Sequence, residues 1–218
     1  MVHAFSLIHD DLPAIDDDDL RRGLPTCHKK YGEAMALLAG DALFALAFEV
    51  LASASAPCDR VVRAVQVLSQ ATGSDGLVGG EVMDVVSERQ VVSADTLDFI
   101  HTRKTGSLIA AACEIGGLLG GGTESELEAL RNYGRHIGLA FQIADDLLNE
   151  LSTAEQLGKA VGTDRERQKA TYPAIHGMDR AKEVAAEHAE AARECARQLR
   201  SNVDLLVSLA TFTVERTK

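Results

Sequence analysis

A chain of 218 residues with a net charge of −11 has room for one large domain or two small ones, and its acidic balance argues against nucleic acid or an anionic membrane as main partner. Apolar residues reach 46% while aromatics are only 4%, tryptophan is absent and alanine and leucine abound, which favours helices packed on helices over a sheet-rich fold. Cys27, Cys58, Cys113 and Cys195 are scattered, without a CxxC pair or zinc spacing, and read as reduced thiols. No signal peptide, lipidation motif or run of eighteen apolar residues is evident, so the expectation is a cytoplasmic protein without a membrane span.

In chain order, Val2–Ile8 is apolar and expected to be buried. It leads straight into six aspartates within ten residues, Asp10, Asp11 and Asp16 to Asp19, followed by Arg21 and Arg22. A dense carboxylate cluster at the end of a buried segment is costly unless a cation sits there, and Mg2+ takes few carboxylates, filling its other positions with water and phosphate oxygens. Adjacent arginines are suited to binding an anion with several oxygens. Carboxylates for metal beside arginines for phosphate point to a metal–diphosphate site, with a solvated acidic loop as the plain alternative.

Gly23 to Pro25 reads as a turn. Ala34–Ala52 is apolar on nearly all sides and is expected to be a central, buried helix. Asp41 interrupts it, as a locally paired residue or a functional one. A break at Ala56 to Cys58 precedes an amphipathic helix over Val61–Ala71. The next helix opens at Gly79 and puts Glu81 and Asp84 one turn apart on one face. Ser93 is a candidate N-cap for the helix carrying Phe99, Ile100 and then Lys104-Thr-Gly106. Gly116 to Gly122 follows a helix, lacks GxGxxG order and reads as a helix end.

Glu124–Glu150 is a long helix in which Gln142, Asp145, Asp146 and Asn149 fall at i, i+3, i+4 and i+7. They form one polar stripe on an otherwise apolar helix, which demands ions, water or hydrogen bonds. A buried Asp pair held by a neighbouring arginine is the alternative. A polar loop from Gly158 to Ala170 carries Lys159, Arg165, Arg167 and Lys169. A short helix near Pro173, an outer helix over Met178–Leu199 and an apolar helix over Val203–Val214 complete an all-α chain without strands. If the two acidic patches face each other across a cavity, several Mg2+ ions and Lys104, Lys159 and Lys169 could hold one diphosphate. Charge building on a departing diphosphate would be stabilised, and an apolar wall would shelter a carbocation.

These residues resemble the trans-isoprenyl diphosphate synthases, most closely the bacterial farnesyl diphosphate synthases. Asp10-Asp-Leu-Pro-Ala-Ile-Asp16 matches the first aspartate motif, DDxxxxD, and Arg21-Arg-Gly23 the RRG that follows it. Asp145-Asp-Leu-Leu-Asn149 matches DDxxD with Asn in the last place. Lys104-Thr-Gly106, Gly158-Lys-Ala-Val-Gly-Thr-Asp164 and Lys169-Ala-Thr-Tyr-Pro173 match the KTG, GKxxGxD and KxTYP motifs. The resemblance runs over essentially the whole chain.

The resemblance implies an isoprenoid-synthase-type helical bundle around a central cavity, with residues 1–218 as a single domain and a homodimer as the assembly. It implies Mg2+, or Mn2+ in its place, held by Asp10, Asp16 and Asp145, with Asp11, Asp146 and Asn149 contributing less. Arg21, Lys104, Thr105, Gln142, Lys159 and Lys169 would hold the allylic diphosphate. His3 and Arg22 would contact isopentenyl diphosphate. Asp10, Asp11, Asp16, Lys104, Lys159 and Asp145 would carry catalysis, condensing isopentenyl diphosphate with dimethylallyl or geranyl diphosphate. Phe5, five residues before Asp10, resembles the bulky floor that stops elongation at C15, ordinary core packing being the alternative.

Three departures stand out. Asn149 replaces the usual Asp, Glu81 stands where many relatives have Gln, and nothing matches the family's upstream GGKRxRP motif, so a chain shortened at its N-terminus is expected. The rival readings are a geranylgeranyl diphosphate synthase and a non-catalytic or degenerate subunit of a prenyl synthase. A class I terpene cyclase fits less well, because Asp146-Leu-Leu-Asn149 does not supply its second metal motif.

Overall fold

The computed structural model describes residues 1–151, 170–201 and 203–216. They are helical but for one two-residue ladder, and they group into two compact units, divided after Ser55. Lys159, Lys169 and the loop of Gly158 to Asp164 lie outside the described residues.

The first unit holds α1 (Val2–Asp10), a hairpin of β1 (Leu20–Arg21) and β2 (Leu24–Pro25), α2 (Cys27–Tyr31) and α3 (Glu33–Ala52). Helices α1 and α2 both pack on α3. Gly40 permits the first of these contacts: a Cβ there would stand 2.1 Å from the His9 ring. His9 Nε2 instead lies 3.0 Å from the Leu37 carbonyl, and 4.0 Å from Asp41. Asp41 thus has a local neighbour and is largely exposed. The hairpin corrects the expectation of no strand. Arg21 pairs with Leu24, and the two residues between them, Arg22 (φ +53°) and Gly23 (φ +77°), both adopt the left-handed backbone of a type I′ turn.

Two burial expectations fail in this unit. Of Val2–Ile8, only Val2 is fully buried. Helix α3 buries only Ala36, Gly40 and Ala47, while Met35, Leu37, Leu38, Leu46 and Val50 are exposed. A helix apolar all round carries no signal for which side packs, and here the small-residue side meets the neighbours. Among the described residues, α3 is also long and apolar enough to cross a membrane by length and composition alone.

The second unit comprises α4 (Cys58–Thr72), α5 (Leu77–Ser87), α6 (Ala94–Ile100), a π-helical turn (His101–Gly106), α7 (Ser107–Leu119), α8 (Glu124–Leu151), α9 (Tyr172–His176), α10 (Met178–Ala196) and α11 (Val203–Glu215). Local chemistry sets its helix starts. Ser93 Oγ accepts the Thr96 N–H at 3.1 Å, as its N-cap role predicts. Before α8, Thr123 and Glu126 form a reciprocal capping box: the Thr123 N–H donates to Glu126 and the Glu126 N–H to Thr123 Oγ1.

Helix α8 is the axis of this unit, contacting α7, α10, α11 and the π-turn. Ala181, Ala185, Ala189, Ala192 and Ala196 line one face of α10 and are buried. Ile143 and Leu147 join Leu97, Tyr172 and Val184 in the core beside the polar stripe of α8. Arg131 clamps Glu114 in bidentate fashion at 2.7 and 2.6 Å, tying α8 to α7.

Candidate active site

One cluster of candidate residues is the acidic turn after α1. Helix α1 stops at Asp10 as Pro13 approaches, and the Asp16 N–H donates back to the Asp10 carbonyl at 2.8 Å. The turn therefore closes Asp16 onto the helix end. Spacing alone leaves Asp16 to Asp19 equivalent, but their surroundings differ. Lys29 Nζ lies 2.7 Å from Asp19 and 3.8 Å from Asp17, His28 lies 3.8 Å from Asp17, and Arg21 lies 3.6 Å from Asp18. Thr26 anchors the run, donating Oγ1–H to the Asp18 carbonyl at 2.8 Å and its N–H to the Asp19 carbonyl at 3.0 Å.

Asp11 is buried, and Arg21 donates to it from both Nε and Nη2. Burial pushes the Asp11 carboxyl above its usual value, against the pull of Arg21. Arg21 thus braces the turn through Asp11. The neighbouring turn residue Arg22 points elsewhere, its Nη2 lying 3.5 Å from His3 Nε2. Desolvation first, then the charge of Arg22, holds His3 below its usual value, so the ring can accept from the guanidinium. The two residues assigned by resemblance to isopentenyl diphosphate are therefore neighbours. Phe5, half-buried, packs against Phe44 of α3 with ring centroids 4.8 Å apart, and Phe44 packs against Phe48 at 5.2 Å.

The other unit carries a second cluster, built on the π-turn. A π-helical turn carries one extra residue per turn and shifts the residues that follow it. Two glycines let neighbouring helices grip this one. A Cβ on Gly80 of α5 would stand 2.2 Å from the Lys104 nitrogen, and one on Gly138 of α8 would stand 2.6 Å from the Gly106 Cα. The grip sets two side chains. Lys104 Nζ lies 2.8 Å from both Glu81 and Asp84, the pair that helical spacing places on one face of α5. Thr105 Oγ1 donates to Gln142 Oε1 at 2.9 Å.

The stripe on α8 splits in two. Asp146 is buried: its Oδ1 accepts from Gln142 Nε2 at 3.2 Å, and its Oδ2 accepts the Tyr172 N–H at 2.8 Å. Asp145 is half-buried, with Arg216 Nη2 3.4 Å from its Oδ1. Arg216 also lies over the Phe141 ring at 4.2 Å. Asn149 sits one turn beyond Asp145. Sequence reasoning singled out neither His101, whose ring reaches Asp146, nor the Arg216 partner of Asp145. The one signal for His101 is a lone histidine three residues before Lys104.

The polyprenyl synthetase family pattern matches residues 1–207. The chain belongs to this family. It is 46% identical to geranylgeranyl pyrophosphate synthase 4 of Arabidopsis thaliana over 220 residues, covering 99% of this chain and 59% of that protein. An FPP/GFPP synthase from Zymomonas mobilis superposes with a TM-score of 0.85 at 36% identity, covering 97% of this chain and 72% of that one. A geranyltransferase from Helicobacter pylori, complexed with magnesium and isoprenyl diphosphate, superposes with a TM-score of 0.84 at 32% identity over 98% of this chain and 70% of that one. The chain thus spans less than two thirds of the length of its curated plant relative.

For a polyprenyl synthetase, the donor set can be tested against Mg2+. Among the described residues no three His, Cys, Asp or Glu side chains form a ready cage. Mg2+ needs none, since it binds through one or two carboxylates plus substrate phosphate oxygens. Asp10 and Asp16, joined by their backbone hydrogen bond, and the half-exposed Asp145 fit that mode. Asp146 does not, because its two oxygens face interior donors.

Proposed function

We propose that this chain catalyses Mg2+-dependent head-to-tail condensation of isopentenyl diphosphate with an allylic diphosphate, giving farnesyl diphosphate. The observation that carries the reading is the packing of the π-turn on α8, which joins Thr105 to Gln142 one turn from Asp145. That arrangement gathers a hydroxyl, an amide and a carboxylate of the kind a metal-bound diphosphate requires.

By the resemblance, Asp10, Asp16 and Asp145 would hold Mg2+ on the allylic diphosphate. The metal supplies Lewis-acid stabilisation of the charge that builds as the diphosphate leaves. Lys104, Thr105 and Gln142, together with Lys159 and Lys169, bind its remaining oxygens, while His3 and Arg22 bind isopentenyl diphosphate. The allylic C1–O bond breaks and its electron pair departs with the diphosphate. The isopentenyl double bond then forms the new C–C bond to C1. A proton lost from the resulting cation, taken up by the released diphosphate, restores a double bond.

Phe5 supports the C15 product, because its ring is backed by Phe44 and cannot retreat freely. The name of the Arabidopsis relative favours a second reading, a C20 product. A homodimer would cover the exposed leucines of α3, and light scattering would test it.

The deciding experiment is incubation with labelled isopentenyl diphosphate, geranyl diphosphate and Mg2+, with products sized by chromatography. A C15 product supports the reading. A C20 product moves it to geranylgeranyl diphosphate synthesis. No product from any allylic substrate, unless a full-length synthase is added, would replace it with the partner-subunit reading.

A further inference from the structure

The π-turn begins with a residue that none of the motif matches assigns. His101 is 4% exposed, and its Nε2 lies 3.4 Å from Asp146 Oδ2. The ring stacks on Tyr172, with centroids 6.2 Å apart and planes at 23°. Its Nδ1 is buried without a hydrogen-bond partner among the described residues, so the side facing Asp146 is the ring's polar engagement. The Nε2 edge of the ring is the one turned to the Asp146 carboxylate. The ring therefore packs directly against Asp146.

Asp146 gathers three elements at one point: the π-turn through His101, α8 through Gln142, and α9 through the Tyr172 N–H. Turning this carboxylate outward would strand the buried Tyr172 N–H, a loss that buried donors resist. Adjacent helical residues point about 100° apart, so an inward Asp146 sets the direction of Asp145. The π-turn is likewise held at both ends, by His101 against Asp146 and by Gly106 against Gly138. Lys104 and Thr105 lie between those two anchors.

We propose that His101 is a positioning residue, which through Asp146 locks the register between the π-turn and α8 so that Lys104, Thr105 and Asp145 address the same diphosphate. The proposal rests on the prenyl-transfer reading of this site. His101 touches no substrate in it; it acts through Asp146, as partners behind a metal site commonly do.

The test measures binding of inorganic diphosphate with Mg2+ by calorimetry, on this chain and three variants, with circular dichroism to establish folding. His101→Phe keeps the ring stack and loses the donor, His101→Asn is polar but too short to reach, and His101→Gln retains both reach and donor. The expected Kd is raised about tenfold or more in His101→Phe and His101→Asn and stays within about threefold of wild type in His101→Gln, the scale typical of such supporting partners. Kd values unchanged in the first two, or His101→Gln as impaired as His101→Phe, would overturn the role. Unfolding of both His101→Phe and His101→Asn would assign the ring to the core and overturn it as well. Failure of the wild-type chain itself to bind magnesium diphosphate would instead remove the prenyl-transfer reading, and this inference with it.

Discussion

The Asp16 N–H donates to the Asp10 carbonyl at 2.8 Å, closing a turn that returns the last aspartate of the motif to the helix end carrying the first. The neighbouring carboxylates are directed differently, Asp17 and Asp19 towards Lys29 and Asp18 towards Arg21. Asp10→Ala, Asp16→Ala and Asp145→Ala should therefore each lower turnover by about a hundredfold or more, the scale of losing one electrostatic stabiliser. Circular dichroism should show helicity unchanged. Asp19→Ala, which loses an exposed pair with Lys29, should leave turnover within about threefold, as surface ion pairs contribute little. Comparable losses at Asp16 and Asp19 would remove the distinction.

Phe5 and Phe44 share one contact across α1 and α3. Shortening either side chain opens the same space, so Phe5→Ala and Phe44→Ala should both shift product towards longer chains, read by chromatography. An unchanged product in both would return the pair to core packing.

Gly138 leaves no room for a side chain against Gly106. Gly138→Ala should destabilise the fold by about 1–3 kcal/mol, the usual range for overpacking, and should also displace the π-turn. Urea unfolding gives the first effect, and a raised KM for the allylic diphosphate the second. Ala at 138 with wild-type stability and KM would mean that the turn is not gripped there.

His136 of α8 and His188 of α10 face each other with Nδ1 atoms 2.9 Å apart, so one must donate and the other accept. Burial, with Arg135 second, lowers His136; burial, with His136 second, lowers His188. Both folded values lie below the unfolded value of about 6.5, so below that pH the unfolded chain binds more protons. Stability should be fully present above that value and fall as pH drops through it towards the folded values. His188→Gln should flatten the decline, measured by urea unfolding at neutral and mildly acidic pH. A wild-type chain equally stable across that range would contradict the assignment.

Much of the fold was legible from local pattern. The long period of α8, the Ser93 cap and the break before α4 are properties of short windows, where spacing and capping chemistry suffice. The two-residue ladder was missed because its driving feature is backbone rather than side-chain pattern: Arg22 takes a left-handed conformation that only Gly23 advertises. The failure at α3 has another cause. Its composition is apolar in every direction, and hydrophobicity cannot then say which side will find a neighbour.

By itself the sequence determined an all-α chain, the two aspartate groups, the Lys104-Thr-Gly106 segment and the family they resemble, because each is written within one element or one short motif. Tertiary structure decided which carboxylates face which cations, that Asp146 turns inward while Asp145 does not, and that His101 supports the stripe. Those outcomes depend on contacts between residues far apart in the chain, such as Asp146 with Tyr172 and Lys104 with Glu81. Burial and hydrogen-bond satisfaction select among such partners only once the helices are packed.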